Sequence, residues 1–134
     1  MELVTLITIV ALTQYLFFGY NTGRARHKYG VKAPAVTGHP IFERYYRVQS
    51  NTLEQLVVFL PALWVFATML ERLNAPGNEA AALLGLVWIA GRTLYARAYV
   101  ADPKTRAKGF LLTIIPTAVM LAGTGVAILI SIAG

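Results

Sequence analysis

The chain has 134 residues, of which 57% are apolar and only 13% charged, where an average soluble domain is roughly 25% charged. With a mean hydropathy of +0.58, this excludes an ordinary soluble globule and points to a membrane protein. There is no cysteine, so a disulfide framework is excluded, and any thiol chemistry has to use the sulfur of a substrate.

The first apolar stretch runs from about Leu3 to Tyr20. It opens on an acid in "MELVTL", lacks a basic leader and ends at "GYNTGRAR" without a small-residue cleavage site, so it reads as a retained helix rather than a signal peptide. The segment "GVKAPAVTGHP" follows, and its Gly and Pro content marks a loop. Further apolar stretches occupy Leu53 to Leu70, Ala80 to Val100 and Phe110 to Ala133. Each approaches the roughly 20 residues that a helix needs to cross a bilayer. The expected fold is all-α, an integral membrane four-helix bundle forming one domain over residues 1–134. Pro61 and Pro116 fall inside the second and fourth helices, where neighbouring helices can satisfy the freed carbonyls. Ala118, Ala122, Gly123, Gly125 and Ala127 keep the fourth helix slim, which suits close helix contact.

The net charge of +6 raises the question of nucleic acid, and its placement answers it. Arg24, Arg26, Lys28, Lys32, Arg44 and Arg47 surround the first connection, and Arg97, Lys104, Arg106 and Lys108 the third, whereas "ERLNAPGNE" in the second holds one Arg and two Glu. This alternation puts loops one and three in the cytoplasm and both termini on the opposite side. No aromatic-interleaved basic patch lies outside these short loops, so no nucleic acid is expected as a partner. His27 and His39 are the only histidines and have no spaced Cys or carboxylate cluster beside them, so no metal site is expected.

Two helical faces carry polar groups where lipid would be expected. With Arg47 at zero and about 100° per residue, Asn51 falls near +40° and Glu54 near −20°, a narrow shared face, while Gln49 points the other way. On the third helix Trp88, Tyr95 and Tyr99 lie within about 60° of Arg92, and Arg97 faces elsewhere. A mid-membrane Arg costs roughly 2.5–3.5 kcal/mol on insertion scales, so Arg92 calls for a partner. Simpler readings stand beside the functional one. Arg44, Arg97, Lys104 and Lys108 suit interfacial anchors, Tyr95 and Tyr99 an aromatic belt, and the Arg, Asn and Glu face an internal salt-bridge network.

The segment "GRARHKYGVKAPAVTGHPIFERYYRVQSNTLE", with its "FERxxRxQxNxxE" pattern, resembles the signature of the MAPEG family of membrane proteins in eicosanoid and glutathione metabolism. "GLVWIAGRTLYARAYVADPKTRAKG" is similar to the family's third helix and following loop, and together the blocks span Arg24 to Gly109. The resemblance implies a homotrimer that holds glutathione as co-substrate between neighbouring subunits. By position, Arg47, Asn51, Glu54, Tyr95 and Tyr99 match contacts from one subunit, Arg26 and Gln49 match contacts from the adjacent one, and Arg92 matches an arginine of the same pocket. Arg106 matches the arginine that stabilises the thiolate in catalytic members. The implied activity is a detoxifying glutathione transferase, with possible peroxidase activity, acting on hydrophobic electrophiles or lipid hydroperoxides drawn from the bilayer lipids. Gln55, His27, Thr117 and Ala118 depart from the leukotriene-forming members, and the "DPKTR" loop is similar to that of the broader microsomal class. The alternative is a non-catalytic lipid-binding scaffold like the lipoxygenase-activating member.

Overall fold

The computed structural model describes all residues, 1–134. Four helices follow one another up and down: α1 (Glu2–Lys28), α2 (Pro40–Arg72), α3 (Gly77–Ala101) and α4 (Ala107–Ala133), with a short 3-10 turn, Pro103–Thr105, between the last two. α2 begins thirteen residues before the apolar stretch read from the sequence, which started at Leu53. The polar run before Leu53 is therefore helical, and at 33 residues and 1.5 Å per residue α2 is about 50 Å long, longer than the hydrocarbon layer.

Local chemistry sets the helix ends. His39 caps α2, its Nδ1 accepting from the Ile41 amide at 3.2 Å, with Pro40 in the first turn. α1 stops where Gly30 adopts φ 67°, and the Tyr29 amide donates back to the Ala25 carbonyl at 2.9 Å. Asn74, at φ 57°, turns the chain from α2 into α3, a left-handed conformation that asparagine tolerates better than most residues.

α2 and α3 form the central pair, with α1 packed on one side of them and α4 on the other. The core joins Val4, Ile7 and Ala11 of α1 to Leu56, Phe59, Leu63 and Phe66 of α2, Trp88 of α3 and Met120 of α4. Phe59 and Trp88 stack at 4.1 Å between centroids, 8° from parallel. Outside this core the surface is unusually apolar: Leu16, Val57, Leu83, Leu129 and Ile132 are all more than 65% exposed. A contiguous coat of that kind marks a lipid or subunit interface.

Three helices are long and apolar enough to cross a membrane, the third of them including the 3-10 turn. α3 falls short on composition, because Arg92 and Arg97 interrupt its apolar run, yet it packs along α1, α2 and α4 as the fourth helix of the bundle. On α4 the slim face differs from the expectation. Gly123 meets Phe66, whose Cε2 would lie 2.6 Å from an added Cβ, and Ala127 is buried. Ala118, Ala122 and Gly125 point outward. The inward stripe is instead Gly109, Thr113, Pro116, Thr117, Met120 and Thr124, with each threonine hydroxyl donating to a carbonyl three or four residues earlier.

Candidate functional site

The end of the bundle formed by the start of α2, the end of α3 and the start of α4 collects the polar residues singled out above. α2 and α3 are joined there at two levels. Deeper in, the Asn51 Nδ2 donates to the Tyr95 hydroxyl at 2.6 Å. Nearer the end, an Arg44 guanidinium nitrogen donates to the carbonyls of Val100 and Ala101 at 2.9 and 3.0 Å. Tyr99 lies between these ties in sequence and contacts Tyr95, with ring centroids 5.5 Å apart.

Arg47 and Glu54 are exposed and have no hydrogen-bond or ion partner in the chain. The single ion pair of the molecule joins the Met1 amino group to Glu2 at 2.9 Å, so the internal salt-bridge network entertained for the Arg47, Asn51 and Glu54 face does not form. Asn51 commits one amide hydrogen to Tyr95, leaving its carbonyl oxygen available, while the phenol, acting as acceptor, keeps its own proton to give.

Arg92 is buried and 1% exposed. It finds no carboxylate. One terminal nitrogen donates to the Thr52 hydroxyl at 2.8 Å, its Nε has no acceptor, and the guanidinium carbon lies 4.1 Å from the centre of the Tyr95 ring. Arg92 therefore backs the Tyr95 ring from inside the bundle rather than lying on the open face with Arg47. Thr52 relays the contact to α2, donating in turn to the Val48 carbonyl at 2.7 Å.

Arg106 occupies the N-cap position of α4. Its side chain is exposed, donates to the Pro103 carbonyl at 2.7 Å and has its guanidinium carbon 5.9 Å from the Tyr99 ring centre. The hairpin that carries it is built tightly. The Asp102 carboxylate accepts from the Lys104 amide at 3.0 Å, and the Thr105 hydroxyl bonds to the carbonyls of Asp102 and Ala98 at 2.8 and 3.2 Å. Just beyond, Gly109 lets α4 rest directly on the Tyr95 backbone, where an added Cβ would lie 2.5 Å from the Tyr95 Cα.

Arg26 and Gln49 lie away from this face. Arg26 donates to the Ala35 carbonyl at 2.6 Å and covers the Phe42 ring at 4.7 Å, which fixes the first loop. Gln49 faces α1, its Nε2 only 3.3 Å from where a Cβ on Gly19 would stand. Within the chain, then, Asn51, Tyr95, Tyr99 and Arg106 come together with Arg47 and Glu54 on the adjoining α2 face, and Arg26 and Gln49 do not join them. Sequence reasoning missed Thr52, His39, Thr105 and Gly109, and it left Arg44 as an anchor. The one sequence cue among these was Gly109, a glycine directly after a basic loop at the start of a helix.

No group of three or more His, Cys, Asp or Glu side chains gathers anywhere in the fold. Beside this geometry stand three relationships. The chain is 46% identical over 124 residues to an uncharacterized protein of Synechocystis sp., covering 92% of this chain and 86% of that one. It is 36% identical over 127 residues to human microsomal glutathione S-transferase 2, covering 93% and 82%. It is 34% identical over 104 residues to leukotriene C4 synthase of Cavia porcellus, covering 78% of this chain and 65% of that protein. The MAPEG family model matches residues 4–126, nearly the whole chain and every residue of the candidate site, and the chain belongs to the MAPEG family.

Proposed function

We propose that this protein is a membrane-bound glutathione transferase that ionises the glutathione thiol and delivers it to hydrophobic electrophiles or lipid hydroperoxides. The observation that carries the reading is the set of unpaired polar groups at one end of an otherwise apolar bundle. Arg47 and Glu54 are exposed without partners, next to an Asn51–Tyr95 pair and an exposed Arg106. The names of two relatives, a glutathione S-transferase and a leukotriene C4 synthase, point the same way.

Glutathione brings two carboxylates, an ammonium group and a thiol. Guanidinium groups grip carboxylates with two parallel hydrogen bonds, a role for Arg47. Glu54 accepts from the ammonium, and Asn51 and the Tyr95 and Tyr99 hydroxyls address the peptide. Arg26 and Gln49 face away from this surface, so they reach the ligand as contributions from a neighbouring copy in a homotrimer. Arg92 supports the pocket wall through Tyr95. Loops one and three, and with them the site, face the cytoplasm, and both termini lie across the membrane.

A free thiol has a pKa of about 8.5, so only a few per cent is ionised at neutral pH. Lowering it to about 6.5 needs roughly 2.7 kcal/mol of preferential stabilisation of the thiolate. Arg106 supplies that at the uncapped amino terminus of α4, whose free amides add positive potential. In conjugation the thiolate electron pair forms a bond to the electrophilic carbon, and the displaced group leaves with the electrons of the broken bond. In peroxide reduction the thiolate attacks the terminal oxygen and the O–O bond breaks to give an alcohol and a sulfenic acid. A second glutathione converts that acid to a disulfide and water.

The test is ultraviolet thiolate absorbance of purified protein titrated with glutathione, followed by turnover of an aryl halide and of a fatty-acid hydroperoxide. Wild type is expected to show the thiolate near neutral pH, and Arg106→Ala to lose it while still binding. If the wild type binds no glutathione, the transferase reading fails. Binding without thiolate or turnover would favour the non-catalytic lipid-binding scaffold.

A further inference from the structure

The sequence offers Arg44 as one more interfacial cation, but its contacts are specific. It lies on α2 three residues before Arg47, about 60° away around the helix. Its guanidinium reaches across to the end of α3, donating to the carbonyls of Val100 and Ala101 at 2.9 and 3.0 Å. The last carbonyls of a helix have no partner within it and carry its partial negative charge. α3 has no basic residue of its own in its last turn. Arg44 therefore supplies from a neighbouring helix what α3 lacks.

We propose that Arg44 is a positioning residue for Arg106, clamping the end of α3 so that the hairpin after it presents the Arg106 guanidinium at a fixed distance from the Arg47 face. From Ala101 the chain goes directly into the Asp102 and Thr105 bonds of the hairpin and reaches Arg106 five residues later. Thr105 also ties that hairpin back to the Ala98 carbonyl in the same clamped turn. The Pro103 carbonyl within the hairpin is the only hydrogen-bond acceptor of the Arg106 side chain, and its other neighbour, the Tyr99 ring, stands on α3, so its placement relative to α2 depends on what holds the end of α3 to α2. Arg44 provides that connection by hydrogen bonds. The Asn51–Tyr95 bond registers the same two helices deeper in, and Arg44 extends the registration to the level where the sulfur would sit. This inference rests on reading Arg106 as the group that stabilises the thiolate.

The experiment compares wild type, Arg44→Leu, Arg44→Lys and Arg106→Ala in detergent, reading glutathione affinity, thiolate absorbance against pH and conjugation rate against pH. Arg44→Leu is expected to raise the apparent thiol pKa toward the free value of about 8.5. Its rate should fall roughly fivefold near pH 7 and approach wild type at alkaline pH, where the thiol ionises without help. Glutathione affinity should change less than about twofold, since Arg44 directs its bonded Nη1 at the carbonyls that end α3 rather than at the Arg47 face. Arg44→Lys, which keeps a cation at the helix end, should recover part of the shift. Amide hydrogen exchange should quicken in residues 102–106 of Arg44→Leu and stay unchanged in α1.

An Arg44→Leu protein that folds, with an unmoved pH profile, overturns the proposal, as does a loss confined to glutathione affinity. If Arg44→Leu does not fold, the decision passes to Arg44→Lys, where a profile identical to wild type despite faster exchange in the hairpin also overturns it. A different result separates the premise from the inference: if Arg106→Ala leaves the thiolate intact, it is the role of Arg106 that has failed.

Discussion

Asn51 and Tyr95 are joined across α2 and α3 by a 2.6 Å hydrogen bond, in which the amide donates and the phenol accepts. Each group keeps the capacity for a further hydrogen bond, Asn51 at its carbonyl oxygen and Tyr95 through its hydroxyl hydrogen. A pair of this kind acts as one unit, so its members should not contribute additively. Tyr95→Phe and Asn51→Ala are each expected to weaken glutathione binding by about 1 kcal/mol, and the double variant by clearly less than their sum. Calorimetric titration of the four proteins checks this. Strict additivity would mean that the two side chains meet the ligand independently or not at all.

Arg47 and Glu54 stand on the same face of α2 without partners in the chain. If they hold opposite charges of one ligand, their loss should cost binding and leave the bundle intact. Arg47→Ala is expected to reduce glutathione affinity by tenfold or more, and Glu54→Gln by several-fold, with the melting temperature within a degree or two of wild type. The contrast with Arg106→Ala is the informative part, because that variant should keep most of the affinity and lose the thiolate. Unchanged affinity in Arg47→Ala would remove its assigned grip on a carboxylate.

The helices and the polar face were legible because both rest on the 3.6-residue period, which a sequence displays directly. Arg47, Asn51 and Glu54 share a face, and Trp88, Arg92 and Tyr95 share another, as the wheel implies. A wheel shows a direction but not the neighbour found there. It put Arg92 on a stripe needing a partner, and the partner turned out to be the hydroxyl of Thr52 and the ring of Tyr95. Arg44 was illegible for the same reason: its targets are backbone carbonyls on another helix, which leave no mark in the sequence. On α4 composition misled, since small residues occur on both the outward and the inward sides, and only their register against Phe66 and Tyr95 separates the two.

The Arg92–Thr52 contact makes a sharper claim about stability. A buried guanidinium without a carboxylate depends on each hydrogen bond it retains, and the Thr52 hydroxyl is the one acceptor it has. Thr52→Val conserves shape and removes the acceptor, so it is expected to destabilise the protein by about 1–3 kcal/mol. In an Arg92→Met background the same substitution should cost much less, because no buried charge is left stranded. Unfolding midpoints of the two singles and the double give the answer. Equal costs in both backgrounds would show that Thr52 contributes through packing alone.

Two glycines of α4 separate a packing requirement from mere slimness. At Gly109 an added Cβ would lie 2.5 Å from the Tyr95 Cα, backbone that cannot rotate away, whereas at Gly125 it meets nothing within 4 Å. Gly125→Ala should therefore be neutral or stabilising by up to about 1 kcal/mol, as alanine is the better helix former. Gly109→Ala forces the start of α4 off α3, and Arg106 stands three residues earlier in the same turn. It is expected to lower the melting temperature and also to raise the thiol pKa of bound glutathione, because the cation moves with the helix end. Thiolate absorbance against pH for both variants measures the coupling. If Gly109→Ala lost stability but kept the thiolate pKa of wild type, the seat of α4 on Tyr95 would be structural only, and the position of Arg106 would have to be set by the hairpin and Arg44 alone.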